Sequence, residues 1–196
     1  GVIGTEVGEL LGRVPRHPGV PDPVAADAGR GRRLSVWQRR MWLMIGVLWT
    51  LPNSLLGVVA GVLAMPFGAR PELRKGDLAL VFDRFPLGPG GAMTLGNVIL
   101  CTQGHLDSLC TTYAHRAGWC VQPKTRLSDH ERAHVLQYMA LGPLFLPLYF
   151  LSGGVSVRNR FERAADRYAL TSRDWWPWLK ANSKAETIRF RKSSSS

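Results

Sequence analysis

Ser128-Asp129-His130-Glu131-Arg132-Ala133-His134-Val135 is the stretch on which the reading of this chain turns. His130, Glu131 and His134 match H-E-x-x-H. On a helix, residues i and i+4 stand one above the other, so both imidazoles can grip one metal ion. Glu131 then projects beside the open coordination position, where its carboxylate can take a proton from water. Ser128 and Asp129 are N-cap candidates immediately before the motif. A plainer alternative stands beside this one. Ser128 and Glu131 also fit a capping box, in which Glu131 bonds backbone amides and the histidines are incidental. A free carboxylate requires the helix to begin earlier, near Thr125 or Arg126.

Zinc hydrolases use three protein ligands and leave a fourth position open. Downstream lies Asn159-Arg160-Phe161-Glu162-Arg163-Ala164-Ala165-Asp166-Arg167-Tyr168-Ala169. Glu162 and Asp166 are again i and i+4 and share a helix face. Glu162 can ligate zinc while Asp166 accepts a hydrogen bond from a ligand imidazole and fixes its ring. Ala164 and Ala165 are small enough for close helix approach. The interleaved Arg160, Arg163 and Arg167 also fit an exposed charged face.

H-E-x-x-H followed by E-x-x-A-D resembles the gluzincin-type membrane metallopeptidases, the group of prenyl proteases and heat-shock membrane proteases. The resemblance implies His130, His134 and Glu162 as Zn2+ ligands, Glu131 as the base and Asp166 as a support for a ligand histidine. Residues 92–169 also resemble a group of small, uncharacterised bacterial membrane proteins.

Working outward, chain length constrains what joins the two motifs. A continuous helix from His134 to Gly153 would end about 30 Å away, and a helical return over the next nine residues cannot cover that distance. Breaks at Pro143 and Pro147 are therefore expected, with the apolar run Leu141–Leu151 as a re-entrant or interfacial element around 143–152. Upstream, Leu78–Phe82 and Thr94–Leu100 read as two strands separated by Gly88-Pro89-Gly90-Gly91. Thr94, Leu95, Gly96 and Asn97 are candidate substrate-binding residues, because an extended peptide can pair with an edge strand. Tyr138, Tyr149, Tyr168 and His115 are available oxyanion donors. Residues 102–127 carry no clear pattern. Cys101, Cys110 and Cys120 lack metal-site spacing, as do the nearby His105 and His115.

From Met41 to Phe67 the sequence has no charge and is long enough to span a hydrocarbon core of about 30 Å. Leu51-Pro52-Asn53 lies in its middle and implies either a kinked span or a hairpin that enters and leaves on one side. Trp37, Trp42 and Trp49 suit an interfacial position. The formal charge of +11 is the one feature that points towards nucleic acid. No nucleic-acid-binding module is visible, however, and Arg32, Arg33, Arg39 and Arg40 crowd against the apolar segment, as expected beside anionic lipid headgroups.

The expected fold class is α+β, a membrane-associated zincin-like core. Four regions follow: a basic leader over 1–36, a transmembrane segment or hairpin over 37–68, a metallopeptidase domain over 69–180, and a basic, Ser-rich tail over 181–196. The expected function is zinc-dependent peptide hydrolysis, with peptide or protein substrates, lipid partners and a bacterial inner-membrane location. Two rivals remain: a non-catalytic membrane protein with a structural zinc, and an anionic-lipid or nucleic-acid binding module.

Overall fold

The structure, a computed structural model, describes residues 35–88, 90–102, 105–116 and 124–178. Cys120, most of the expected leader and the expected tail lie outside the described residues.

Among the described residues two apolar helices come first, α1 (Val36–Trp49) and α2 (Leu51–Ala64). A capping box starts α1: Ser35 accepts from the Gln38 N–H, and the Gln38 side chain accepts from the Ser35 N–H. Pro52 does not sit inside one continuous helix. It sits in the first turn of α2, where a missing N–H costs nothing. The two helices bend by 66° across their junction. That angle is short of a full reversal and fits either a broken span or a segment that enters and leaves on one side. One side of the resulting V is built from small or polar residues, namely Gly46, Thr50, Asn53, Gly57, Gly61 and Ala64, all buried. Gly57 lies against Leu95 and Val98, and Gly61 lies against the Phe82 ring. The opposite side exposes Leu48, Leu55, Leu56 and Leu63, each more than half accessible.

A short 3-10 turn, Met65–Phe67, leads into β1 (Arg70–Arg74) and β2 (Ala79–Asp83), followed by β3 (Ala92–Leu95) and β4 (Val98–Cys101). The four strands form one sheet in the order β1-β2-β4-β3. β2 and β4 are parallel, and both outer pairs are antiparallel. The strand expected over 94–100 is therefore two strands. Gly96, at φ 63°, takes the first position of a two-residue hairpin turn with Asn97, and the chain reverses there. Pro71 is accommodated because β1 is an edge strand.

A second, two-stranded sheet pairs β5 (Leu109–Thr111) with β6 (Lys124–Arg126), with the one-turn α3 (Tyr113–Arg116) after β5. Then come α4 (Leu127–Leu141), a 3-10 turn at Gly142–Leu144, α5 (Phe145–Leu151) and α6 (Arg160–Thr171). By length and composition, Leu127–Leu151 is long and apolar enough to cross a membrane, although half of its most apolar part is buried. It does not run straight. The Tyr149 and His134 rings lie 6.2 Å apart, whereas a straight helix would separate these residues by about 22 Å. The chain doubles back at Gly142, whose φ of 56° disfavours any other residue. Pro143 lies at this break, while the expected break at Pro147 is absent. Pro147 is in the first turn of α5, where proline is tolerated.

The layers follow from the cores. Phe82, Val98 and Leu100 pack under α2 on one face of the sheet. Val81, Ile99 and Cys101 pack with Leu127, Val135 and Met139 of α4 on the other. Ala133 and Leu136 of α4 meet Ala165 and Tyr168 of α6, with Trp175 closing that cluster. The architecture is α+β, with the H-E-x-x-H helix held between sheet and α6.

Candidate metal centre

The helix α4 begins directly after β6. Arg126 is its N-cap residue and makes no side-chain cap, so Ser128 and Asp129 lie inside the first turn. The capping-box alternative thus fails. The Glu131 carboxylate instead accepts the Thr94 hydroxyl at 2.6 Å, across from β3.

One helical turn separates His130 from His134, and their ring centroids are 5.0 Å apart. Facing them is Glu162, in the first turn of α6, whose N-terminus is fixed by the Asn159 side chain accepting from the Phe161 N–H. Glu162 Oε2 lies 3.1 Å from His130 Nε2 and 3.5 Å from His134 Nε2. Ligand atoms about 2.0–2.1 Å from a tetrahedral zinc stand roughly 3.3 Å apart, so these spacings fit a shared ion. Among the described residues, this is the one group of three or more His, Cys, Asp or Glu side chains close enough to hold a metal. His130, Glu131, His134 and Glu162 are all no more than 7% exposed.

The remaining ring nitrogens show which atoms are free to coordinate. His130 Nδ1 lies 3.1 Å from Asp166 Oδ1. His134 Nδ1 lies 2.9 Å from Gln137 Oε1. The Gln137 amide cannot be flipped, because its Nε2 donates to the Phe161 carbonyl at 3.2 Å and the Trp175 carbonyl at 2.9 Å. With each Nδ1 facing an acceptor oxygen, the tautomer protonated at Nδ1 turns both Nε2 lone pairs towards Glu162 Oε2. Only cationic charge can hold two lone pairs and a carboxylate together: a metal ion, or protons on the imidazoles. Burial alone would lower the His130 imidazole pKa, but hydrogen bonds to Asp166 and Glu162 hold it well above its ordinary range. Burial likewise would raise Glu162, and the two imidazoles overcome this and hold its carboxyl below the usual carboxylate range. The cluster is built to gather positive charge, and a buried His130–His134–Glu162 site of this kind can bind a metal ion.

Tyr149 donates its hydroxyl to Glu162 Oε1, leaving Oε2 to face the histidines. Asn159 Nδ2 donates to the Tyr149 carbonyl at 3.1 Å, which ties the folded-back α5 to the start of α6. Of the other tyrosines considered as donors, Tyr138 is fully buried with an unpartnered hydroxyl. Tyr168 packs between α4 and α6 with Ala133, Leu136 and Trp175. Tyr113 was not singled out in the sequence, yet its ring lies 6.1 Å from that of His130.

Of the four expected substrate-binding residues, only Thr94 reaches the cluster. Leu95 packs into the core under α2. Gly96 packs against Ser54 and Thr50. Asn97 accepts the Thr50 hydroxyl, donates from its backbone N–H to Ser54 Oγ at 2.9 Å, and donates from Nδ2 to the Leu78 carbonyl at 2.8 Å. Gly96 and Asn97 seat the elbow of the V and are already occupied. Gln137 is the residue that sequence reasoning missed. Its i+3 spacing from His134 was visible, but the carbonyls that fix its amide lie far along the chain. Comparison with protein-family models, curated proteins and solved structures finds no match to this chain.

Proposed function

We propose that the chain is a zinc-dependent endopeptidase working at a membrane surface. The observation that carries this reading is the convergence of His130 Nε2, His134 Nε2 and Glu162 Oε2, with Glu131 one residue along the same helix and bonded to β3. A zinc ion held by those three would supply Lewis acidity, polarising a peptide carbonyl and making water nucleophilic near neutral pH. Glu131 takes the proton from the attacking water and returns it to the departing amine. Thr94 aims the Glu131 carboxylate. Asp166 and Gln137 hold the two imidazoles in the tautomer that presents Nε2.

An extended substrate would pair with the open edge of β3. The Thr102 N–H donates to the Gly91 carbonyl, so the antiparallel alternation turns the N–H and C=O of Thr94 outward. A strand added there passes beside Glu131. This arrangement and the residue pattern resemble the gluzincin-type membrane metallopeptidases. The apolar outer side of the V supports a membrane location.

The test is zinc stoichiometry in the purified protein, with His134→Ala and Glu162→Ala as comparisons. It is followed by cleavage of an unstructured protein such as casein by the parent and by Glu131→Gln. The expected result is near-stoichiometric zinc in the parent, lost in both ligand variants, with cleavage that Glu131→Gln abolishes. A parent without zinc, under conditions that do not strip it, sinks the proposal. The burial of all four residues favours a second reading, in which zinc only staples α4 to α6. Full zinc without cleavage by the parent would select it.

A further inference from the structure

The membrane part of that reading can be taken further, from the shape of the V. We infer that α1 and α2 form a wedge that enters one leaflet of an anionic phospholipid bilayer, elbow first, with both outer ends on the same aqueous side.

Three observations carry this. The first is which side of the V is free. Pro52 crowds the carbonyl of Leu48 four residues back, so these two exposed residues mark the outside of the bend, and the inside is filled by the body of the protein: Gly46 lies on Met139, Gly57 on Val98, and the elbow sits on the Gly96–Asn97 turn. Its convex side presents Met44, Leu48, Trp49, Leu51, Leu55 and Leu56, all exposed, to whatever surrounds it. Leu144, also exposed, lies beside the elbow, because Gly142 packs against the Trp49 ring.

Second, the body cannot follow the V into hydrocarbon. Among the described residues β1 and β3 are the outer strands of the sheet, with no strand beyond them, and β1 exposes Arg70 and Glu72. Unpaired strand edges are not tolerated against lipid tails. A spanning pose would put the elbow at mid-membrane and carry the sheet in beside it. Only the convex side can therefore enter.

Third, the dimensions and charges fit one leaflet. Each arm has 14 residues, or about 21 Å. With a 66° bend, the elbow lies about 11 Å beyond the line joining the ends, within the roughly 15 Å of one leaflet's hydrocarbon. Arg40 on the first arm and Arg70 just past the second are exposed, where they would meet anionic headgroups. Trp37 and Phe67, both more than 70% exposed, flank them at the interface.

The experiment is labelling of the full chain carrying Gln38→Cys and Glu72→Cys together, reconstituted into sealed vesicles of phosphatidylcholine and phosphatidylglycerol. An impermeant maleimide is applied, and intact mass is read against the parent, whose own cysteines set the background. The wedge predicts molecules with two added labels or none, whichever way each faces. One added label per molecule means a span and overturns the inference. Leu48→Asp and Leu51→Asp, at exposed positions, are expected to weaken vesicle flotation by at least about tenfold. Unchanged flotation in both variants would also overturn it. Neither measurement reads zinc or cleavage, so the peptidase reading stands or falls separately.

Discussion

Gln137 is fully buried and spends all its amide groups: one bond to the His134 imidazole and two to carbonyls 24 and 38 residues further along the chain. Replacing it with leucine leaves those carbonyls unpaired and releases the His134 ring. Gln137→Leu and Asp166→Ala are expected to weaken zinc binding by roughly 10–100-fold, where His134→Ala and Glu162→Ala remove it. Competition with a chromophoric chelator measures the difference. Glu131→Gln should retain zinc. Loading zinc must also displace protons from imidazoles that their carboxylate neighbours keep basic. Zinc affinity is therefore expected to fall as pH drops, beginning above the ordinary histidine range because both imidazoles are held basic, in the same competition assay. A pH-independent affinity would contradict the lone-pair geometry.

At the scale of elements, Gly142 bears the reversal that brings α5 back along α4. A β-carbon there would meet the Trp49 indole at 2.3 Å and sit at a φ of 56°. Gly142→Ala is expected to cost about 1–3 kcal/mol from backbone strain alone, with the clash added, read as a lower melting temperature. Trp49→Ala in the same chain should recover part of the loss, since it removes the obstruction and leaves the strain.

The same elements separate what the sequence reveals from what it hides. Both i, i+4 pairs were legible because helical periodicity is local, and so was the need for a break near Pro143. The hairpin at Gly96-Asn97 was hidden in a run that looks uniformly strand-like from Thr94 to Leu100, although Gly-Asn is itself a turn signal. β5 and β6 are three residues each and carry no periodicity to read. Whether Pro52 marks a kink or a hairpin depends on what fills the inside of the bend. Asn97 and Gly142, both distant in sequence, supply that answer.

For the whole molecule, the ligands come from two helices joined by a long reversal, so a bound ion would clamp α4 to α6. Binding to the folded state at a thousandfold excess over Kd stabilises by about 4 kcal/mol. Chelation is therefore expected to lower the melting temperature of the parent and leave Glu162→Ala unmoved, as read by calorimetry.

The V has a consequence for biosynthesis. Its inner side is lined with Thr50, Asn53 and three glycines, and the groups that satisfy it arrive much later: Asn97 for Thr50, and the Gly142 carbonyl for Asn53 at 3.1 Å. At about 5–20 residues per second, the wedge emerges from the ribosome several seconds before its lining is answered. Throughout that interval an exposed apolar surface exists with a half-finished back. Every candidate metal ligand is translated after the V, and Glu162 last of all, so a nascent chain held at a membrane by the V would be there before it could bind a metal.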